Sequence, residues 1–82
     1  MITESDVRAL RFAHSVLTRR GIDYSRADVR MMHGVLHIKG VLAKAVGAQY
    51  PNLKEEVEHA MKVIKSKPEV RELCLDVTYM DR

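Results

Sequence analysis

The chain has 82 residues, of which 46% are hydrophobic and 30% charged, and its formal net charge is +3. This length predicts a single domain over residues 1–82, and the composition is that of a folded rather than a disordered chain. The net charge is too small to indicate nucleic-acid binding by itself, and a single cysteine excludes an internal disulfide framework.

The beginning of the chain, Met1 to Asp6, is acidic and lacks the basic and apolar regions of a secretory signal. No apolar run approaches the roughly 18 residues that a membrane-spanning helix needs. Together with the single cysteine, these features make the cytoplasm the expected compartment. An envelope location is expected only if the chain was excised from a longer protein.

The first predicted element is a helix over about residues 5–20. Thr3 and Ser5 are good N-cap residues, and Thr3 followed by Asp6 resembles a capping box. Gly21 can adopt the left-handed conformation that ends a helix. Apolar side chains recur along one stripe at helical spacing: Val7, Leu10, Ala13 and Leu17.

Residues 28–42 alternate with a period of two and predict a β-hairpin whose two-residue turn is His33-Gly34. This register places Met31 opposite Leu36 and Val29 opposite Ile38 on an aliphatic face. The other face is charged, with Arg30 opposite His37 and Asp28 opposite Lys39. A sheet with these two faces is expected to be covered on one side only.

Residues 43–51 predict a loop, because Gly47 and the Tyr50-Pro51 step disfavour a helix. Tyr24 and Tyr50 are expected to cover the edges of the core. A second helix is predicted over about residues 52–66, with Leu53, Val57, Ala60, Met61 and Ile64 on one stripe. Pro68 ends it, and Val70 to Met80 alternates as a third strand with Leu73, Leu75, Val77 and Tyr79 on one face.

The predicted order αββαβ gives an α+β fold, a two-layer sandwich. In it, two helices pack on one face of a three-stranded sheet and share a single core with it.

No residues form a convincing catalytic or metal site. The four histidines and Cys74 lack the close spacing of zinc ligands, and the glycines match no phosphate-binding loop. Solvated histidines, and a small residue on a strand at Cys74, are the favoured interpretations. We therefore expect no catalytic residue, no metal, no cofactor and no enzymatic activity.

A binding surface is the remaining possibility, and basic residues are its candidates. Three lie near the end of the first helix and in the loop that follows, and three lie on or just after the predicted hairpin: Arg19, Arg20, Arg26, Arg30, Lys39 and Lys44. The open face of the sheet carries no aromatic residue on which a base could stack. Solvation of a charged face is the competing explanation for these residues.

The stretch from Val29 to Leu42 resembles the hairpin of BON domains, with Gly34 and Gly40 at the two glycine positions of that family. The run from Ala60 to Val77 resembles its second helix and last strand, although Glu69 stands where a glycine is common. The loop over residues 43–52 is also longer than usual in the family. The resemblance implies a bacterial binding module that contacts phospholipid surfaces or mediates assembly.

These observations favour a non-catalytic binding module that contacts a protein partner or an anionic phospholipid surface through the basic residues. One alternative is a small protein that binds single-stranded RNA through the same residues. Another is a self-assembling structural unit, similar to the ring-building domains of secretion systems, that pairs through an unprotected sheet edge.

Overall fold

The computed structural model describes residues 3–80 and contains two helices and three strands. In chain order these are helix α1 (Glu4–Arg19), strands β1 (Ile22–Met32) and β2 (Val35–Lys44), helix α2 (Leu53–Lys65) and strand β3 (Glu72–Met80). The strand order in the sheet is β1-β2-β3, with β1 antiparallel and β3 parallel to the central β2. The predicted αββαβ order and α+β fold are confirmed.

Both helices begin where the sequence places a capping residue. Thr3 is the N-cap of α1 and forms the full capping box with Asp6, while Asn52 caps α2 by accepting the N–H of Glu55 at 3.2 Å. Acidic residues in the first turn and basic residues in the last turn of each helix match the helix dipole. Gly21 follows α1 at a φ of 71°, as expected for a residue that ends a helix.

The hairpin has the predicted register, including the pairs Met31–Leu36 and Val29–Ile38. Both turn residues have positive φ, 52° at His33 and 81° at Gly34, which is the geometry of a type I′ turn. Strand β1 begins six residues before the predicted hairpin. These residues were not predicted as strand because a bulge between Asp23 and Arg26 interrupts the period-two pattern. Strand β2 also runs two residues into the predicted loop and ends at Lys44.

The core lies between the helices and the sheet. The largest fully buried side chains come from both helices and from the hairpin: Leu17, Met31, Leu36, Ile38, Leu42, Leu53, Val57 and Ile64. Tyr24 and Tyr50 are half-buried against this core, which confirms that they cover its edges. The side of the sheet away from the helices carries the charged residues of the hairpin.

The two helices lie side by side and run in opposite directions. Arg20, after the end of α1, forms a 3.0 Å ion pair with Glu56 in the first turn of α2. Lys67, after the end of α2, places its ammonium 4.6 Å from the centre of the Phe12 ring in the middle of α1. Helix α1 packs on β1 and helix α2 packs along β3, so α2 lies over an edge of the sheet.

Candidate functional site

The outer edge of β3 is a free strand edge in the part of the chain that the structure describes. Strand β3 pairs with β2 on one side only. Glu72 donates its backbone N–H to the carbonyl of Gly34 at 3.2 Å, so the peptide groups of Glu72 point toward β2. Because peptide groups alternate along a strand and the pairing with β2 is regular, Leu73, Leu75, Val77 and Tyr79 point theirs toward the free edge.

The same four residues place their side chains on the side of the sheet that the helices cover. Helix α2 covers this row incompletely: Leu73, Val77 and Tyr79 are half-buried, and Leu75 is 41% exposed. An open groove of about 550 Å³ remains beside Leu75. We call this the β3 groove, and it is lined by Glu55, Glu58, His59, Met61, Lys62 and Leu75.

The exposure of Leu75 was not predicted from the sequence. Its alternating position in Val70–Met80 gave the correct face of the sheet, since its neighbours Leu73 and Val77 pack against the core. The pattern could not show that α2, although it packs along β3, leaves Leu75 partly uncovered. The one feature of the sequence that indicates this apolar edge is a row of apolar residues in an alternating strand that follows an amphipathic helix.

Strand β3 is more suitable for pairing than the opposite edge of the sheet. It has no proline and no register shift, and Asp76 is its only charged residue after Glu72. Strand β1 contains a bulge and exposes Arg26, Asp28 and Arg30, features that discourage pairing with another chain. The β3 edge is therefore the sheet edge whose chemistry favours an added strand.

Charges at the rim of the β3 groove come from α2. The acidic side chains Glu55 and Glu58 lie toward the helix start and Lys62 lies one turn beyond Glu58. Burial raises the pKa of Tyr79 above its ordinary value of 10.0, and the carboxylate of Glu58 raises it further. The groove thus has an apolar floor, an acidic end near Tyr79 and a basic end near Leu73, where Lys62 and Lys65 line the surface.

Two of the predicted binding residues belong to the helical layer. Arg20 is engaged in the ion pair with Glu56, where the two side chains are 34% and 20% exposed. Arg19 donates from Nε to the carbonyl of Ser15 at 3.4 Å within α1. The ion pair shows that Arg20 contributes to the packing of α1 against α2.

Three others, Arg26, Arg30 and Lys39, lie on the open face of the sheet. Arg30 forms a 2.8 Å ion pair with Asp28, and Lys39 has Asp28 and Asp76 as its register neighbours on the two adjoining strands. Acidic residues thus alternate with the basic residues on this face. A surface of this kind has little net positive potential to attract an anionic ligand.

On the same open face of the sheet, the Nη1 atom of Arg26 lies 3.9 Å from the sulfur of Met80. The sixth predicted residue, Lys44, lies at the end of β2 with its ammonium 5.2 Å from the centre of the Tyr50 ring. The structure therefore brings Arg26, Arg30 and Lys39 to one face and leaves Arg19, Arg20 and Lys44 outside it.

A shallow depression on the open face contains His37 and its register partner Cys74, an exposed free thiol. Within residues 3–80 no three side chains of His, Cys, Asp or Glu are arranged to hold a metal ion. The depression contains acidic and basic side chains together with Met32, a residue that is 43% exposed.

Comparison with protein-family models, with curated proteins and with solved structures finds no match to this chain. Among the helices of the described residues, none has the length and apolar character needed to cross a bilayer.

Proposed function

We propose that this chain is a non-catalytic binding module for a protein partner, which it binds as an added β-strand along the edge of β3. The observation that carries the proposal is the coincidence of free backbone groups and partly exposed apolar side chains at Leu73, Leu75, Val77 and Tyr79. In strand addition, backbone hydrogen bonds provide affinity and pockets for alternate side chains provide specificity. The β3 groove supplies such a pocket beside Leu75.

The resemblance to BON domains leads to the same class of function, and we propose that the chain is a BON-like domain. Two features support this proposal. The element order is αββαβ, and the two glycines on which the resemblance depends each have a structural reason to be glycine. Binding of phospholipid or of RNA receives less support, because the six basic residues do not form one surface.

Selection from a library of random displayed peptides tests the proposal. The wild-type chain is immobilised sparsely, so that copies do not contact each other, and enriched peptides are synthesised and titrated by fluorescence polarisation. We expect peptides with alternating apolar residues to be enriched. Methylation of alternate backbone nitrogens in a peptide should abolish its binding, because it removes the donors that pair with β3.

Two matched variants locate the binding surface. Leu75→Glu should weaken peptide binding at least about tenfold, because it places a charge on the floor of the groove. Val46→Glu makes the same kind of change at a fully exposed apolar residue in the loop after β2 and should leave binding unchanged. Enriched peptides that bind wild type and Leu75→Glu equally would remove the β3 edge from the proposal.

A further inference from the structure

The chemistry of β3 also identifies a partner for its free edge. We propose that the edge binds a second copy of this chain, with the two β3 strands antiparallel about a two-fold axis at Leu75. This inference rests on the proposed strand-accepting function of the same edge. The product is a continuous six-stranded sheet with four helices on one face.

The side chains of β3 select this register. An axis at Asp76 would place two carboxylates directly opposite each other, which is destabilising. An axis at Leu75 instead places Leu75 opposite its own copy and Leu73 opposite Val77 of the second copy. On the other face Cys74 is then opposite Asp76, and Glu72 is opposite Thr78, so no like charges are opposed.

The hydrogen-bonding groups agree with the same axis. The N–H and C=O groups of Leu73, Leu75 and Val77 point to the free edge, so the pairs Leu75–Leu75 and Leu73–Val77 are hydrogen-bonded pairs of an antiparallel ladder. The axis also buries the most exposed apolar side chain of the row, since Leu75 is 41% exposed.

Charges on α2 are complementary across this axis. Helix α2 runs antiparallel to β3. Lys65, at the end of the helix, lies near Leu73, whereas Glu58, in its first half, is close enough to Tyr79 to interact with it electrostatically. Leu75 lies between Leu73 and Tyr79 along β3, and it lines the same groove as Glu58 and Lys62. A two-fold axis at Leu75 therefore brings Glu58 of each copy toward Lys62 of the other.

An axis at Val77 is the nearest competing register. It pairs Leu75 with Tyr79 and leaves Leu73 beyond the paired part of the described strand. An axis at Val77 also lies further from the Lys62 end of the groove, so Glu58 of one copy would no longer lie near Lys62 of the other. We therefore assign the axis to Leu75.

The mass of the wild-type chain in solution tests dimer formation. Sedimentation velocity from about 1 µM to about 1 mM covers the range of weak and moderate self-association. We expect the mass to rise from monomer to dimer in wild type and in Val46→Glu. Leu75→Glu should raise the dimer dissociation constant at least about tenfold, since it places two carboxylates at the axis. Circular dichroism checks that both variants fold.

Charge reversal tests the arrangement of the helices. Glu58→Lys should weaken the dimer several-fold by opposing Lys62 of the second copy. Adding Lys62→Glu to that variant should restore the affinity, because each copy then again places an acidic side chain near a basic side chain of the other. Failure of the second substitution to restore affinity would overturn the assigned pairing.

Disulfide trapping tests the register in a Cys74→Ser background. Leu75→Cys should give a disulfide-linked dimer on mild oxidation, because residue 75 lies directly opposite its own copy at the axis. Val77→Cys should not, because Val77 lies opposite Leu73 of the second copy and far from its own copy. Faster cross-linking of Val77→Cys would overturn the axis at Leu75. A wild-type chain that stays monomeric throughout the range would overturn the dimer itself. If such a chain still binds the selected peptides at β3, the proposed function stands.

Discussion

Asp6 joins the start of α1 to the tip of the hairpin. The residue is 3% exposed, and its two carboxylate oxygens accept the backbone N–H groups of His33 and Gly34, each at 3.1 Å. It also accepts the N–H of Thr3 at 3.3 Å within the capping box. Burial by itself would raise the pKa of Asp6, but these hydrogen bonds to the carboxylate hold it below its ordinary value of 3.8.

Asp6→Asn should lower the melting temperature by roughly 5–10 °C at neutral pH, because an amide nitrogen then faces N–H groups that need an acceptor. A lowered folded-state pKa means that the stabilisation from Asp6 is present above the unfolded-state pKa and is lost as the pH falls through the folded-state value. The melting difference between wild type and Asp6→Asn should therefore shrink below about pH 4. Thermal unfolding monitored by circular dichroism from pH 7 to pH 3 measures it. A difference that stays constant with pH would contradict the role of the charge.

Gly40 has a structural role that sequence periodicity does not reveal. It lies in the middle of β2 at a φ of 128°, and a Cβ there would approach the Arg26 carbonyl oxygen to 2.6 Å and the Ala27 Cα to 2.9 Å. These are backbone atoms of β1 next to its bulge, so they cannot move aside without disturbing the ladder. Gly40 thus permits the close approach of the two strands at this point.

Gly40→Ala should lower the free energy of unfolding by about 2–3 kcal/mol, from the sum of steric overlap and an unfavourable φ. Gly47→Ala is the matched control, because Gly47 also has a positive φ, 86°, but a Cβ there meets nothing within 4 Å. Its loss should be about 1 kcal/mol. Urea unfolding of both variants gives the comparison, and equal losses would show that the steric contact with β1 is unimportant.

At the scale of elements, the hairpin turn is the point where three parts of the chain meet. Asp6 of α1 binds its N–H groups, while Arg71, just before β3, donates from its backbone N–H to the Gly34 carbonyl at 2.8 Å and from its guanidinium to the His33 carbonyl. A Cβ on Gly34 would approach the Arg71 Nε to 2.6 Å. The turn therefore fixes the positions of α1 and β3 as well as the hairpin register.

His33→Asn should stabilise the protein by roughly 0.5 kcal/mol, because His33 has a φ of 52° and Asn adopts positive φ in a type I′ turn more readily than His. The backbone N–H that binds Asp6 is retained. His37→Asn, an exposed change in the adjoining strand, should give no gain, since Asn is unfavourable in strands. Chemical denaturation of both variants distinguishes a turn effect from a general effect of Asn.

Elements defined by local chemistry could be predicted from the sequence, and those defined by tertiary contacts could not. The capping box at Thr3 and the His33-Gly34 turn depend on neighbouring residues and are found as predicted. The first residues of β1 were missed because the bulge moves Tyr24 and Ser25 out of alternation. The incomplete cover over Leu75 depends on where α2 lies, which no local pattern records.

At the scale of the whole molecule, the distribution of charge decides between classes of partner. The helical layer holds Arg20 in an ion pair with Glu56, and the open face opposes Arg30 and Lys39 with Asp28 and Asp76. A net charge of +3 is thus dispersed over both layers. Prediction from sequence alone grouped the basic residues because several lie close along the chain, whereas the fold separates α1 from the open face of the sheet.

Vesicle co-sedimentation checks this consequence of the fold. Binding to an anionic membrane gains about 1 kcal/mol for each basic residue that lies near the surface at the same time, and it weakens as salt rises. Since the open face offers basic residues beside carboxylates, we expect small and equal sedimentation with zwitterionic vesicles and with vesicles containing anionic phospholipid. Asp28→Asn/Asp76→Asn is the informative variant, because it removes both acidic neighbours of Lys39 while leaving every basic residue in place. That variant should sediment with anionic vesicles at low salt. Strong, salt-sensitive sedimentation of the wild-type chain would instead show that its dispersed basic residues are sufficient for membrane binding.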